Sequence, residues 1–201
     1  MRQLYFVLTL CFFGVLQAEA QQRSIDTVVV RVDSMFENKF HRKLYDNRTN
    51  VKYHLQERGR VRDIIVFLAT LEELKTGNRL YAVRVDQRFN RGLFTDAPLA
   101  NAEYIDEDEL ATFVDYLKQV KQDIMTTDHV SQNYTEYRFY TRAGIMLECY
   151  TGVNRWRCVL HYELAKMPTD TYINNPERLE ELIQTLTEID QEIKTLRKNQ
   201  K

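Results

Sequence analysis

Residues 147–158, LECYTGVNRWRC, carry two cysteines on either side of a glycine-bearing turn. With the turn at GVNR, antiparallel pairing sets Thr151 opposite Trp156, Cys149 opposite Cys158, Leu147 opposite Leu160 and Ile145 opposite Tyr162. Strand side chains alternate with period two, so these residues share one face, and it is apolar. The other face takes Glu148, Tyr150, Arg157, Val159 and His161. A slip of one residue would exchange the faces, so register is strongly specified. The segment therefore calls for a hairpin whose apolar side is covered by another layer of structure. Directly opposed residues have Cβ atoms about 4.5–5.5 Å apart and a disulfide needs about 3.5–4.5 Å. The geometry leaves two options: a cross-strand Cys149–Cys158 disulfide that pins the register, or two packed thiols. Neither is a catalytic or metal site.

Two stretches supply the covering layer. In residues 105–125, Asp106 is an N-cap and Glu109 completes a capping-box pattern. Leu110, Phe113, Val114, Leu117, Val120 and Ile124 then form one apolar stripe. At the C-terminus, Asn175 caps, Pro176 takes the first helical position, and Leu179, Leu182, Leu186, Ile189, Ile193 and Leu196 repeat by threes and fours. Lys194, Arg197 and Lys198 complement the dipole of the last turn.

The remaining elements read as follows. Residues 27–32, TVVVRV, and 51–56, VKYHLQ, are strands; 34–47 spaces Phe36, Phe40 and Leu44 as a helix. Residues 62–74 suit either a helix or a buried strand. KTGN follows, and Tyr81, Val83 and Val85 alternate after it. A hairpin explains both the turn and the second strand, with Gly77 at positive φ. Residues 87–104 carry loop residues. Residues 134–163 form a second hairpin, with Gly144 at a bulge or bend. The expected fold is α+β: an antiparallel sheet of two β-hairpins plus one or two further strands, packed by two amphipathic helices.

Arg2, the apolar run of residues 4–16, and Ala18 and Ala20 in QAEA make a secretory signal peptide with cleavage after Ala20. Leu10 before Cys11 does not suit lipid attachment. Residues 21–201 then form a single α+β domain. Cleavage removes one base, Arg2, and one acid, Glu19, so the net charge stays at −1. That balance offers no basic face for nucleic acid. No apolar stretch in residues 21–201 reaches the roughly twenty residues of a membrane span. Cys149 and Cys158 remain, an even number in an oxidising compartment.

The order of a hairpin with a TG turn, YIDEDEL opening a helix, a glycine-containing aromatic hairpin and a terminal helix resembles small exported bacterial proteins of unknown function. The resemblance covers roughly residue 60 to the C-terminus. It implies a Gram-negative periplasmic or surface setting, and carries over no activity and no catalytic residue.

Few residues suggest chemistry. Asp106, Glu107, Asp108 and Glu109 lack the glycine of a calcium loop and sit where a helix start favours negative charge. His41, His54, His129 and His161 show no i, i+4 pairing, and His161 falls on the opposite strand face from Cys158. No nucleophile elbow, P-loop or dinucleotide glycine motif occurs. No cofactor or metal is expected. Aromatic residues between Tyr134 and Tyr162 serve mainly as core. The set read as facing solvent, Arg138, Tyr140, Arg142 and Tyr150, is the candidate ligand surface, since Arg and Tyr favour interfaces. The leading function is an exported non-catalytic binding or interaction module of the bacterial cell envelope. Its partner would be a protein or small ligand, and the chain a monomer or weak homodimer. A hydrolase would instead require two carboxylates, or a nucleophile and base, in a cleft. A structural oligomer would require an exposed stripe on the terminal helix.

Overall fold

A computed structural model of the chain describes residues 25–31, 38–46, 48–88, 100–125, 134–152, 155–162 and 170–200. The expected signal peptide lies outside the described residues, as do 34–37 and 47 of the expected helix and 89–99 of the expected loop. The fold is α+β, built on antiparallel hairpins. Its described strands divide into two sheets, one of four strands and one of five.

The four-stranded sheet runs through β2 (Val51–Val61), β3 (Ile64–Glu73), β4 (Arg79–Arg88) and β5 (Ala100–Asp106), all antiparallel. Residues 64–73 are thus a strand and the KTGN hairpin forms, with Gly77 at φ 72°. Residues 100–104, expected as loop, instead pair with β4 and close the sheet. Their Ala-Asn-Ala start carries little β-propensity, and the partner strand supplies the order.

The five-stranded sheet joins β1 (Ile25–Arg31), β6 (Tyr134–Tyr140), β7 (Ile145–Gly152), β8 (Arg155–Tyr162) and the short β9 (Thr171–Tyr172). β1 pairs with β6 in parallel, a contact across more than a hundred residues that no local pattern announces. β7 and β8 take the register expected from the turn: Ile145 faces Tyr162, Leu147 faces Leu160, Cys149 faces Cys158 and Thr151 faces Trp156. Gly144, at φ 80°, turns the chain between β6 and β7.

Cys149 and Cys158 form a disulfide, with Cα atoms 4.1 Å apart. The Cys158 N–H donates to Asn174 Oδ1 at 3.0 Å, and its carbonyl accepts from the Ile173 N–H at 2.8 Å. Both backbone groups point away from β7. The pair therefore occupies a non-hydrogen-bonded position, where opposed side chains approach most closely. Closing so short a loop stabilises by about 2.5 kcal/mol on the chain-entropy account.

Among the described residues three helices complete the fold: α1 (Lys39–Leu44), α2 (Glu107–Gln119), which runs on into a π-helical turn at Val120–Met125, and α3 (Pro176–Lys198). α3 starts as expected, with Asn175 Oδ1 accepting from the Glu177 N–H at 2.8 Å. Leu179, Leu182, Leu186, Ile189 and Ile193 are buried, and Leu196 is partly so. The exposed stripe that a structural oligomer requires is thus taken up inside the chain. α2 and α3 pack on each other. α2 meets the five-stranded sheet, with Phe113 and Tyr116 against Phe139 at 5.2 and 5.1 Å between ring centres. α3 meets the four-stranded sheet, where Gly59 is required: a Cβ there would come within 2.8 Å of Thr185 Oγ1. One core joins all these faces, including Leu147, Leu160 and both cysteines. α1 seals the opposite side of the four-stranded sheet over Ala69, Leu71, Ala82 and Tyr104.

Candidate functional site

The register of β2, β3 and β4 arranges the side chains of the core-facing side in rows. One row is Gln56, Leu68 and Val83. Val66 and Val85 follow toward the β2–β3 turn, then Val61 and Ile64, all buried. In the other direction come His54, Thr70 and Tyr81, then Lys52, Glu72 and Arg79. These rows share one face because opposed residues do, and successive rows lie two residues apart. The same side of one sheet therefore changes from aliphatic to polar along its strands.

The polar end is not packed shut. Glu192 and Leu196, on the last turns of α3, form the opposite wall of a groove of about 330 Å³. Sheet residues Lys52, His54, Gln56, Thr70, Glu72 and Arg79 line it, with Leu68 and Tyr81 at its floor. That volume falls at the low end of small-ligand sites, which span about 300–1,000 Å³.

The walls are braced by polar contacts. Arg79 Nε donates to Glu72 at 2.9 Å, and the Arg58 guanidinium donates to Glu192. Arg197 ties the end of α3 down three ways: to Glu107 at 3.0 Å, to the Arg79 carbonyl at 2.8 Å, and over the Tyr81 ring at 5.1 Å. Gln200 Nε2 donates to the Tyr81 hydroxyl at 2.7 Å. Both groove carboxylates are thus held by arginines. Lys52 and His54 have no ion pair or side-chain hydrogen bond among the described residues. The groove offers a primary amine and an imidazole beside an apolar floor, arranged to receive polar groups of a ligand.

Of the candidate surface read from the sequence, the register puts Arg138, Tyr140 and Tyr150 on one face of β6 and β7, with Arg142 apart from them. Arg138 is ion-paired to Glu136 and Glu148, and Tyr150 is half-buried near Tyr134, at 6.4 Å between rings. Tyr140 and Arg142 were expected on the solvent side and are 6% and 7% exposed. β6 ends at Tyr140, so Arg142 sits in a turn where period-two alternation no longer applies. Its guanidinium enters the acidic run instead, meeting Asp108 and lying 3.5 Å from both Asp106 and Glu109.

That run does the work of capping. Glu109 accepts from the backbone N–H groups of Asp106 and Arg142, each at 3.0 Å. Asp106 accepts from those of Lys39 and Phe40 at 2.7 and 3.0 Å, so one carboxylate holds the start of α1. Burial pushes the Glu109 carboxyl up against the pull of those N–H donors. Asp108 is held down by its hydrogen bonds to Arg142 and Lys39, which outweigh the opposing effect of burial.

His161 is flanked by carboxylates: Nδ1 lies 2.6 Å from Asp170 and Nε2 3.1 Å from Glu148. With both ring nitrogens occupied, it is not disposed to activate a nucleophile. No group of three or more metal-ligating side chains occurs among the described residues.

Glu103, on the core-facing side of β5 opposite Val85, is pushed up to about 7 by burial. Below its ordinary value of 4.5 the folded and unfolded chains both hold this proton. Between there and about 7 the unfolded chain has released it and the folded one has not, so stability falls as pH rises through that window. Glu103→Gln is expected to remove a loss of about 2 kcal/mol, after allowance for partial exposure. Urea unfolding at pH 5 and pH 8 checks this: the wild type should weaken between them, and the variant should change less.

No family model, curated protein or solved structure matches this chain.

Proposed function

We propose that this protein is an exported, non-catalytic binding module of the bacterial cell envelope, and that its ligand occupies the groove between β2–β4 and α3. The observation that carries the reading is the run of polar side chains, Lys52, His54, Gln56, Thr70, Glu72 and Arg79, on the side of the sheet that elsewhere builds the core. A residue chosen for packing alone would be apolar there. Export is supported by the disulfide, by the N-terminal sequence, and by the resemblance noted above. No described helix is long and apolar enough to cross a membrane.

The partner is a small polar molecule or a short segment of a protein. The hydrolase reading finds less support. Glu103 and Glu109, the carboxyls that burial lifts, do not line the groove, and Glu109 is enclosed by backbone donors.

Nuclear magnetic resonance titration with a panel of mono- and disaccharides and uncharged tripeptides tests the proposal. A binding probe should shift the amides of Lys52, His54, Thr70 and Arg79 together. Thr70→Trp fills the groove and should abolish those shifts while leaving the rest of the spectrum in place. Shifts that survive Thr70→Trp, or that cluster on another face, would reject the groove as the site.

A further inference from the structure

One end of the four-stranded sheet is a tip made from the end of α1, the turn after it and the β3–β4 turn. It is rigidly braced. Lys43 Nζ meets Glu73 at 3.2 Å, the Leu74 N–H donates to the Asn50 carbonyl at 3.0 Å, and Thr76 Oγ1 donates to Glu73 at 2.7 Å. On this tip stand Tyr45, 72% exposed, and Leu74, 62% exposed, the two most exposed large apolar side chains among the described residues. They line the same shallow hollow, with Leu44 and Val51 beneath. Arg42, Lys43 and Arg48 line an adjoining hollow that shares Tyr45, and Lys75 follows Leu74 in the turn.

The cations exceed the carboxylates available to them. Asp46 pairs with Arg48 and Glu73 with Lys43, while Arg42 and Lys75 pair with no carboxylate among the described residues. An exposed tyrosine and leucine ringed by cations, on a chain of net charge −1, is not a surface selected for solubility alone. Its size decides what it fits. Two such side chains offer a few hundred Å² at most, well short of the roughly 1,000 Å² of a stable protein interface. A bilayer surface demands no such area. Apolar tips enter the acyl boundary, tyrosine settles at headgroup level, and each cation near an anionic leaflet contributes about 1 kcal/mol.

We propose that this tip docks the protein on an anionic lipid surface, with Tyr45 and Leu74 entering the interface and Arg42, Lys43, Arg48 and Lys75 meeting headgroup phosphates. The site is separate from the groove and stands whether or not the groove binds a ligand. The test is co-sedimentation of the exported, processed protein with vesicles of phosphatidylcholine alone and of phosphatidylcholine mixed with phosphatidylglycerol. Binding is expected to the mixed vesicles only. Arg42→Gln and Lys75→Gln should each lower the partition coefficient about fivefold. Tyr45→Ser with Leu74→Ser should lower it at least about tenfold. All these side chains are exposed, so circular dichroism should show the variants folded. Absence of binding to the mixed vesicles overturns the proposal, as does binding that the variants leave unchanged. A concentration-dependent dimer abolished by Tyr45→Ser with Leu74→Ser, without vesicle binding, would make the tip a protein contact and equally overturn it.

Discussion

Replacing Arg142 by methionine is expected to lower folding stability by about 3–5 kcal/mol at neutral pH. The side chain is 8% exposed and is the guanidinium that meets Asp106, Asp108 and Glu109 together. Methionine fills much of the volume but leaves Asp106 and Glu109, 3% and 1% exposed, without it. Their backbone donors remain, so the network is weakened at its centre rather than emptied. Asp108 is held below its ordinary value by hydrogen bonds to Arg142 and Lys39, so what Arg142 contributes there is present at neutral pH and is lost as the pH falls through that lowered value. The gap between wild type and variant should therefore narrow in acid, and urea unfolding at about pH 7 and about pH 3 measures both values. A gap under 1 kcal/mol at pH 7, or one that widens in acid, would show that Arg142 is not the centre of this network. Arg142→Lys should recover part of the loss, since it restores the charge but not the fork of donors that reaches several acids at once.

Deletion of residues 175–201 should abolish cooperative folding altogether. Leu179, Leu182, Ile183, Leu186, Ile189 and Ile193 are each no more than 4% exposed. Burying six such side chains contributes on the order of 10 kcal/mol, an upper estimate because unfolded chains are not fully extended. That matches the whole stability of an ordinary domain, about 5–15 kcal/mol. The deletion also uncovers Val66, Leu68 and Leu117 in the shared core. The truncated chain should lose its sigmoidal thermal transition. A transition kept at the wild-type temperature would show that α3 is an appendage, and would reopen the reading in which it joins one chain to another.

The elements legible in the sequence were those whose signals are local. The stripes and caps of α2 and α3 lie within single segments, and placing one turn was enough to set the β7–β8 register. What the sequence concealed depends on distant partners. The parallel β1–β6 pair and the division into two sheets join segments with no shared turn. The alternation of VKYHLQ marks a strand, but not which of its faces looks inward. That depends on where α3 lies, and so Lys52, His54 and Gln56 gave no hint of a groove. Arg142 departs from strand alternation for the opposite reason: β6 ends at Tyr140, and the residue lies in the turn beyond it.

The change from aliphatic to polar along the four-stranded sheet gives α3 two unlike beds. Its first turns rest on packed hydrocarbon, and its last are held by Arg197, Gln200 and a few polar contacts beside open space. Free energy for opening is therefore unequal along one helix. The last turns can lift and resettle as a small cooperative unit while the core stays closed, because the bonds they break are ones water can replace. On the proposed function, such an opening would let a ligand enter and leave on the timescale of a local fluctuation, without approaching global unfolding. Within α3 the slowest-exchanging amides should lie over the aliphatic part of the sheet, and the fastest beside the groove.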